Sequence, residues 1–168
     1  MNNGIQVVNM SLGTYSQVQS FHDAVTIAYN GGLVLVAAAG NEGVSTPLYP
    51  AAYDEVIAVA ASDINNQIPT WSNYGPHLDL TGPGVSIYST YKGSTYKTLS
   101  GTSMATPHVA GTAALVLATT VSSDYDANTN GVWDPIEIKN KLQDIAQNLG
   151  YNNYQQGAGL VRADLAIQ

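Results

Sequence analysis

Cysteine is absent from all 168 residues. That excludes disulfides, thiolate metal sites and a cysteine nucleophile, and it is compatible with any compartment. Charge is sparse: 10% of residues are Asp, Glu, Lys or Arg, with five basic residues against twelve acidic ones. A chain of net charge −7 with so few cations lacks the basic patches that hold nucleic acid, so no nucleic-acid partner is expected. Long apolar runs are missing as well. The longest, Leu33 to Ala39 and Val109 to Thr119, fall short of the roughly 20 residues that cross a bilayer, so no membrane partner is expected. Met1-Asn2-Asn3-Gly4 is not a basic stretch leading into an apolar core, and no secretory leader is read there.

Hydrophobic residues make up 45% of the chain, a globular composition that can bury a core in one domain over residues 1–168. Ile5–Leu12, Leu33–Ala39 and Val56–Ala61 read as strands buried on both faces. Between the first two, Ser16–Asn30 has helical spacing and ends at Gly31-Gly32. Short strands are expected at Leu78–Leu80 and Val85–Tyr88, and helices at Ser103–Thr119 and about Pro135–Asn148. Strand, helix, strand at this spacing predicts an α/β fold, a three-layer α/β/α arrangement around a mostly parallel sheet. The first strand is apolar on both faces with nothing before it, which leaves a sheet edge in need of a neighbour.

Gly101-Thr102-Ser103-Met104-Ala105-Thr106-Pro107-His108-Val109-Ala110-Gly111 places a serine at the mouth of a helix. There the first N–H groups have no partner and the helix dipole is positive, an environment that stabilises an oxyanion beside the hydroxyl. The bland alternative is a serine that caps its own helix. The segment resembles the nucleophile segment of the subtilisin-like serine peptidases, the subtilases. Ala37-Ala38-Ala39-Gly40-Asn41-Glu42-Gly43 resembles that family's oxyanion-hole segment, and Asn9-Met10-Ser11-Leu12-Gly13 the strand and turn lining its substrate cleft.

The resemblance implies a serine endopeptidase acting on peptide or protein substrates, with Ser103 as nucleophile and Asn41 as oxyanion donor. It implies that Ser11, Leu12 and Gly13, with Ala38, Ala39 and Gly40, flank the primary specificity pocket. It leaves cis and trans both open at Tyr49–Pro50, where the family carries a cis proline and sequence alone favours trans, and it implies a secreted parent. The family's Asp-Thr/Ser-Gly and His-Gly-Thr segments have no counterpart here, so the chain reads as the C-terminal part of a domain whose N-terminal part is missing. His108 lies five residues beyond Ser103, roughly 140° around a helix, and points away from it. His22 and His77 read as a helix residue and a loop residue. An inactive truncated fragment, or a peptide-binding module without catalysis, therefore remains as an alternative.

Asp124-Tyr125-Asp126-Ala127-Asn128-Thr129-Asn130-Gly131 puts oxygen-bearing side chains at every second position, with Glu137 following. That alternation suits a structural calcium ion held by Asp124, Asp126, Asn128, Asn130 and Glu137. Counted from Asp124, the glycine falls two places late for an EF-hand loop and no glutamate stands twelfth. A solvated Asx-rich turn is the competing reading.

Overall fold

A computed structural model describes residues 3–168; Met1 and Asn2, read above for a leader, lie outside the described residues. In chain order the elements are β1 (Val7–Met10), α1 (Gln19–Asn30), β2 (Val34–Ala38), β3 (Val56–Ser62), β4 (Leu80–Pro83), β5 (Ile87–Tyr91), β6 (Thr95–Leu99), α2 (Thr102–Leu117), α3 (Pro135–Asp144) and α4 (Asn153–Gln156). The first four strands form a parallel sheet in the order β1-β2-β3-β4, and β5 and β6 an antiparallel hairpin.

The two continuous apolar runs become β2 and β3, the middle strands, where every residue is buried. Their side chains alternate between two cores. On one face Val34, Val36, Ile57, Val59 and Ala61 meet Ala105, Val109, Ala113 and Val116 of α2 and Ile138 and Leu142 of α3. On the other, Leu35, Ala37, Ala58 and Ala60 meet Val25 of α1, with Phe21, Ala28 and Tyr29 beside it, and Tyr53. Helices therefore cover both faces of one mostly parallel sheet, the three-layer α/β arrangement the patterning predicts.

The expectation for the first strand changes. Ile5–Leu12 is ordered as strand only over Val7–Met10, and these residues are half-buried or exposed, not buried. Among the described residues β1 pairs with β2 alone, so its outer edge has no neighbour. The helix after Ser103 is apolar all round but packs on one side only. Pro107, Gly111, Ala114 and Leu115 remain exposed, Leu115 at 41%.

Leu142 is fully buried in the core cluster beneath α2. Leu142→Ala should destabilise the fold by about 3 kcal/mol through lost burial and a residual cavity, read as a lower urea midpoint at unchanged m. A shift under a third of that would mean α3 is not packed as described.

Candidate active site

The nucleophile candidate is positioned by a close approach of helix to sheet. A Cβ on Gly82, at the end of β4, would lie 2.8 Å from the Ala105 carbonyl, so only glycine lets α2 begin there. Ser103 sits in the first turn of α2, half-buried. Its carbonyl accepts from Ser11 Oγ at 2.8 Å, and its Oγ donates to the Ser11 carbonyl at a long 3.4 Å. Ser11 is thus a clamp between the end of β1 and the nucleophile turn.

Asn41 follows the C-terminal end of β2, where open α/β sheets place ligands. Its Oδ1 accepts from the Thr102 backbone N–H at 2.7 Å and from Thr102 Oγ1 at 3.0 Å. Thr102 Oγ1 in turn accepts from the Gly40 N–H at 3.1 Å. With Oδ1 engaged, the amide Nδ2 is left to donate beside the Ser103 turn. The loop carrying Asn41 is held from behind by Asn73, 1% exposed. Asn73 Oδ1 accepts the Glu42 and Val44 N–H groups at 3.0 and 3.2 Å, and its Nδ2 donates to the Ala39 carbonyl at 2.9 Å. A Cβ on Gly40 would collide with the Asn73 side chain.

A pocket of about 210 Å³ opens on one side of Ser103, between Leu12, Gly13, Gly40, Asn41 and Glu42. Tyr15 stands at its rim and donates to Glu42 Oε2 at 2.6 Å, and the same oxygen accepts the Asn41 N–H at 2.9 Å. The Tyr15 hydrogen bond, and next the Asn41 amide, hold the Glu42 carboxyl below its usual range. Burial, and then Glu42, push the Tyr15 phenol upward. A second cleft, of about 400 Å³, lies on the other side of Ser103, between the β5–β6 hairpin and the start of α2. Ser11, Leu12, Gly13, Ala38, Ala39 and Gly40 thus gather with Asn41 and Ser103 at one end of the sheet. Tyr15 and Asn73 were not legible as part of this cluster.

The subtilase family matches residues 1–160. The chain belongs to the subtilase family. It is 46% identical over 167 residues, 99% of its own length, to subtilisin BL of Lederbergia lenta. It is equally 46% identical to an alkaline protease of Alkalihalobacillus alcalophilus, and 45% identical to a thermostable alkaline protease of Halalkalibacterium halodurans. It spans 58% of the length of subtilisin BL, and 41% and 44% of the other two. The Tyr49–Pro50 bond of this subtilase, open to either isomer on the sequence, is cis.

Among the described residues no histidine hydrogen-bonds Ser103 Oγ. His108 is exposed and its Nδ1 bonds the Met104 carbonyl at 2.9 Å. His22 stacks on Tyr53 at 3.9 Å and meets Glu55 at 3.2 Å. His77 is partly buried, which pushes its pKa down against the pull of Asp79.

The 124–137 segment of this subtilase turns its oxygens inward. Asp126 Oδ1 and Asn128 Oδ1 both accept the Asn130 N–H, at 2.9 and 3.0 Å, and Asp126 Oδ2 accepts the Gly131 N–H at 3.1 Å. The side-chain amides of Asn128 and Asn130 both donate to Asp134 Oδ2, at 2.6 and 3.0 Å. Glu137, 2% exposed, accepts the Ala127 and Asp134 N–H groups at 3.1 and 3.0 Å, closing a capping box on α3. Among the described residues no three His, Asp or Glu side chains are gathered tightly enough to hold a metal on their own. Asp124 is exposed and joins none of these bonds; Asp134, absent from the expected set, sits at their centre. The signal was available: counted from Asp126, Gly131 is sixth and Glu137 twelfth.

Proposed function

We propose that this chain carries the nucleophile and oxyanion side of a serine endopeptidase that hydrolyses peptide bonds through an acyl-enzyme at Ser103. The observation that carries the reading is the Asn41 carboxamide fixed on the Thr102 N–H, one residue before Ser103 in the first turn of α2. Ser103 Oγ attacks the scissile carbonyl carbon, and the carbonyl oxygen becomes an oxyanion. The Asn41 Nδ2 and the Ser103 backbone N–H donate to that oxygen. As the tetrahedral intermediate collapses, the C–N bond breaks and the leaving nitrogen takes a proton.

The serine proton needs a base, because a neutral hydroxyl is a weak nucleophile. We infer that the base and its orienting carboxylate belong to sequence outside these 168 residues. Three observations support this: no histidine bonds Ser103, the outer edge of β1 lacks a neighbour, and the apolar helix α2 has an open face. In subtilisin, itself a member of this family, loss of such a base lowers turnover by about 10⁶. Peptide or protein substrates and a secreted parent follow from the family reading alone.

Fluorophosphonate labelling tests the proposal. The purified chain should label at Ser103 no faster than its Ser103→Ala background. Refolding it with the part of subtilisin BL that it does not match should restore labelling. Fast labelling of the chain alone would place the base within it. A formed complex that still fails to label would remove Ser103 as nucleophile and favour a binding module or an inactive fragment.

Calcium is proposed as a structural ion of the loop beginning at Asp126. Asp126, Asn128, Asn130 and Glu137 would hold it, with Val132 falling at the seventh position and Asp134 at the ninth of such a loop. The donors are all oxygen, hard ligands suited to a hard cation, and the buried Glu137 carboxylate stands where such loops place their bidentate ligand. The ion would tie the loop to α3 and so to the core through Ile138 and Leu142.

A further inference from the structure

The cleft on the far side of Ser103 has a charge of its own. The chain carries twelve acidic residues, yet none lies between Asp79 and Asp124, a stretch that includes β5, β6 and all of α2. Two of the five basic residues, Lys92 and Lys97, fall inside it. Of the other three, Lys139 and Arg162 are ion-paired, to Asp79 and Asp164. Lys97 has no carboxylate partner among the described residues. Its Nζ rests over the Tyr91 ring at 5.1 Å, and its side chain lines the cleft with Leu99, Met104 and Ser103. Tyr88, 69% exposed, also lines the cleft, on the hairpin face opposite Lys97, and stacks on Tyr96 with ring centroids 5.4 Å apart. The hairpin register sets Tyr88 opposite Thr98 and Tyr96 opposite Thr90, so the two rings share one face and the aromatic surface is preformed.

A peptide passing a serine nucleophile leaves its acyl side on one flank and its amine side on the other. The pocket beside Asn41 is walled by Glu42, whose carboxylate is already satisfied by Tyr15 and the Asn41 amide. The flank beyond Ser103 presents an unpaired ammonium and exposed aromatic faces. We propose that the cleft between the β5–β6 hairpin and α2 binds the leaving-group side of the substrate and selects an acidic residue there, with Lys97 as the specificity-determining residue and Tyr88 as the surface its neighbour packs on. This rests on the endopeptidase reading.

The test uses the chain as it stands. Amidated tetrapeptides with Asp, Ala or Lys in the first two positions are titrated into isotopically labelled chain and followed by amide chemical shifts. The Asp peptide should bind about three- to tenfold tighter than the Lys peptide at low salt, since each exposed charge contact is modest. It should shift the Lys97, Leu99 and Met104 signals. The gap should close at about 0.5 M salt, where screening is short-ranged. Lys97→Gln should abolish the order and Lys97→Glu reverse it, with the fold checked by unchanged signals from β2 and β3. Absence of binding, or an order that survives Lys97→Glu, overturns the inference. The endopeptidase reading stands or falls separately on Ser103 labelling: restored labelling without acidic preference sinks this inference alone, and acidic preference without labelling sinks only the catalytic reading.

Discussion

Asn73→Ala should destabilise the fold by roughly 3–4 kcal/mol, because it orphans three backbone groups at once, each worth on the order of 1–3 kcal/mol when buried and less where water reaches it. The Ala39 carbonyl loses its donor, and the Glu42 and Val44 N–H groups lose their acceptor. Asn41→Ala provides the contrast. Asn41 is exposed, and its removal frees chiefly the Thr102 N–H at a helix start, so about 1 kcal/mol is expected. Activity should rank the other way once the chain is combined with the base-bearing sequence proposed above. Asn41→Ala should lower turnover by about 10²–10³, a magnitude that comes from the equivalent donor in subtilisin, a member of this family. Urea unfolding and turnover of the two variants give a double readout. An Asn73→Ala midpoint within 1 kcal/mol of the parent would show that the Asn41 loop holds itself, and the account of its rigidity would be wrong.

The pairing of Asn41 with Ser103 was legible because both lie in contiguous strings of distinctive residues. The residues that hold them were not. Asn73 acts on groups 29 to 34 residues away, and nothing around it separates a buried bracket from a turn asparagine. Tyr15 likewise reads as a loop tyrosine until Glu42 is seen beside it. The same division runs through the fold. β2 and β3 announce themselves as unbroken apolar runs because both faces are covered, whereas β1, which pairs on one side only among the described residues, is less buried here than its apolar run predicts. The patterning predicts a strand at Val85–Tyr88 where β5 runs Ile87–Tyr91, and it marks no strand at β6. The sequence Thr95-Tyr96-Lys97-Thr98-Leu99 has no apolar run to mark a strand, since four of its five residues are exposed. Its one local sign was Gly93-Ser94, both left-handed at φ 73° and 58°, which turn the hairpin.

Saturating calcium should raise the unfolding temperature by roughly 5–10 °C. At a free concentration 100 times the dissociation constant, an ion bound only by the folded state adds about 2.7 kcal/mol. In a chain of 168 residues each kcal/mol moves the midpoint by about 2–4 °C. The variants separate calcium ligation from the hydrogen bonds the same residues already make. Glu137→Gln keeps one acceptor for the two N–H groups that close the capping box, so the metal-free protein should lose only about 1 kcal/mol. It removes the bidentate carboxylate, however, and should abolish the calcium response. Asp134→Asn tests the ninth position in the same way. Asp124→Asn distinguishes the two registers: counted from Asp126 it leaves the calcium shift intact, and counted from Asp124 it removes a ligand. Titrating chelator-treated protein with calcium, with magnesium as a control, settles the outcome by calorimetry. An unchanged midpoint in the parent protein would leave the segment as an Asx-rich turn whose oxygens serve only the backbone.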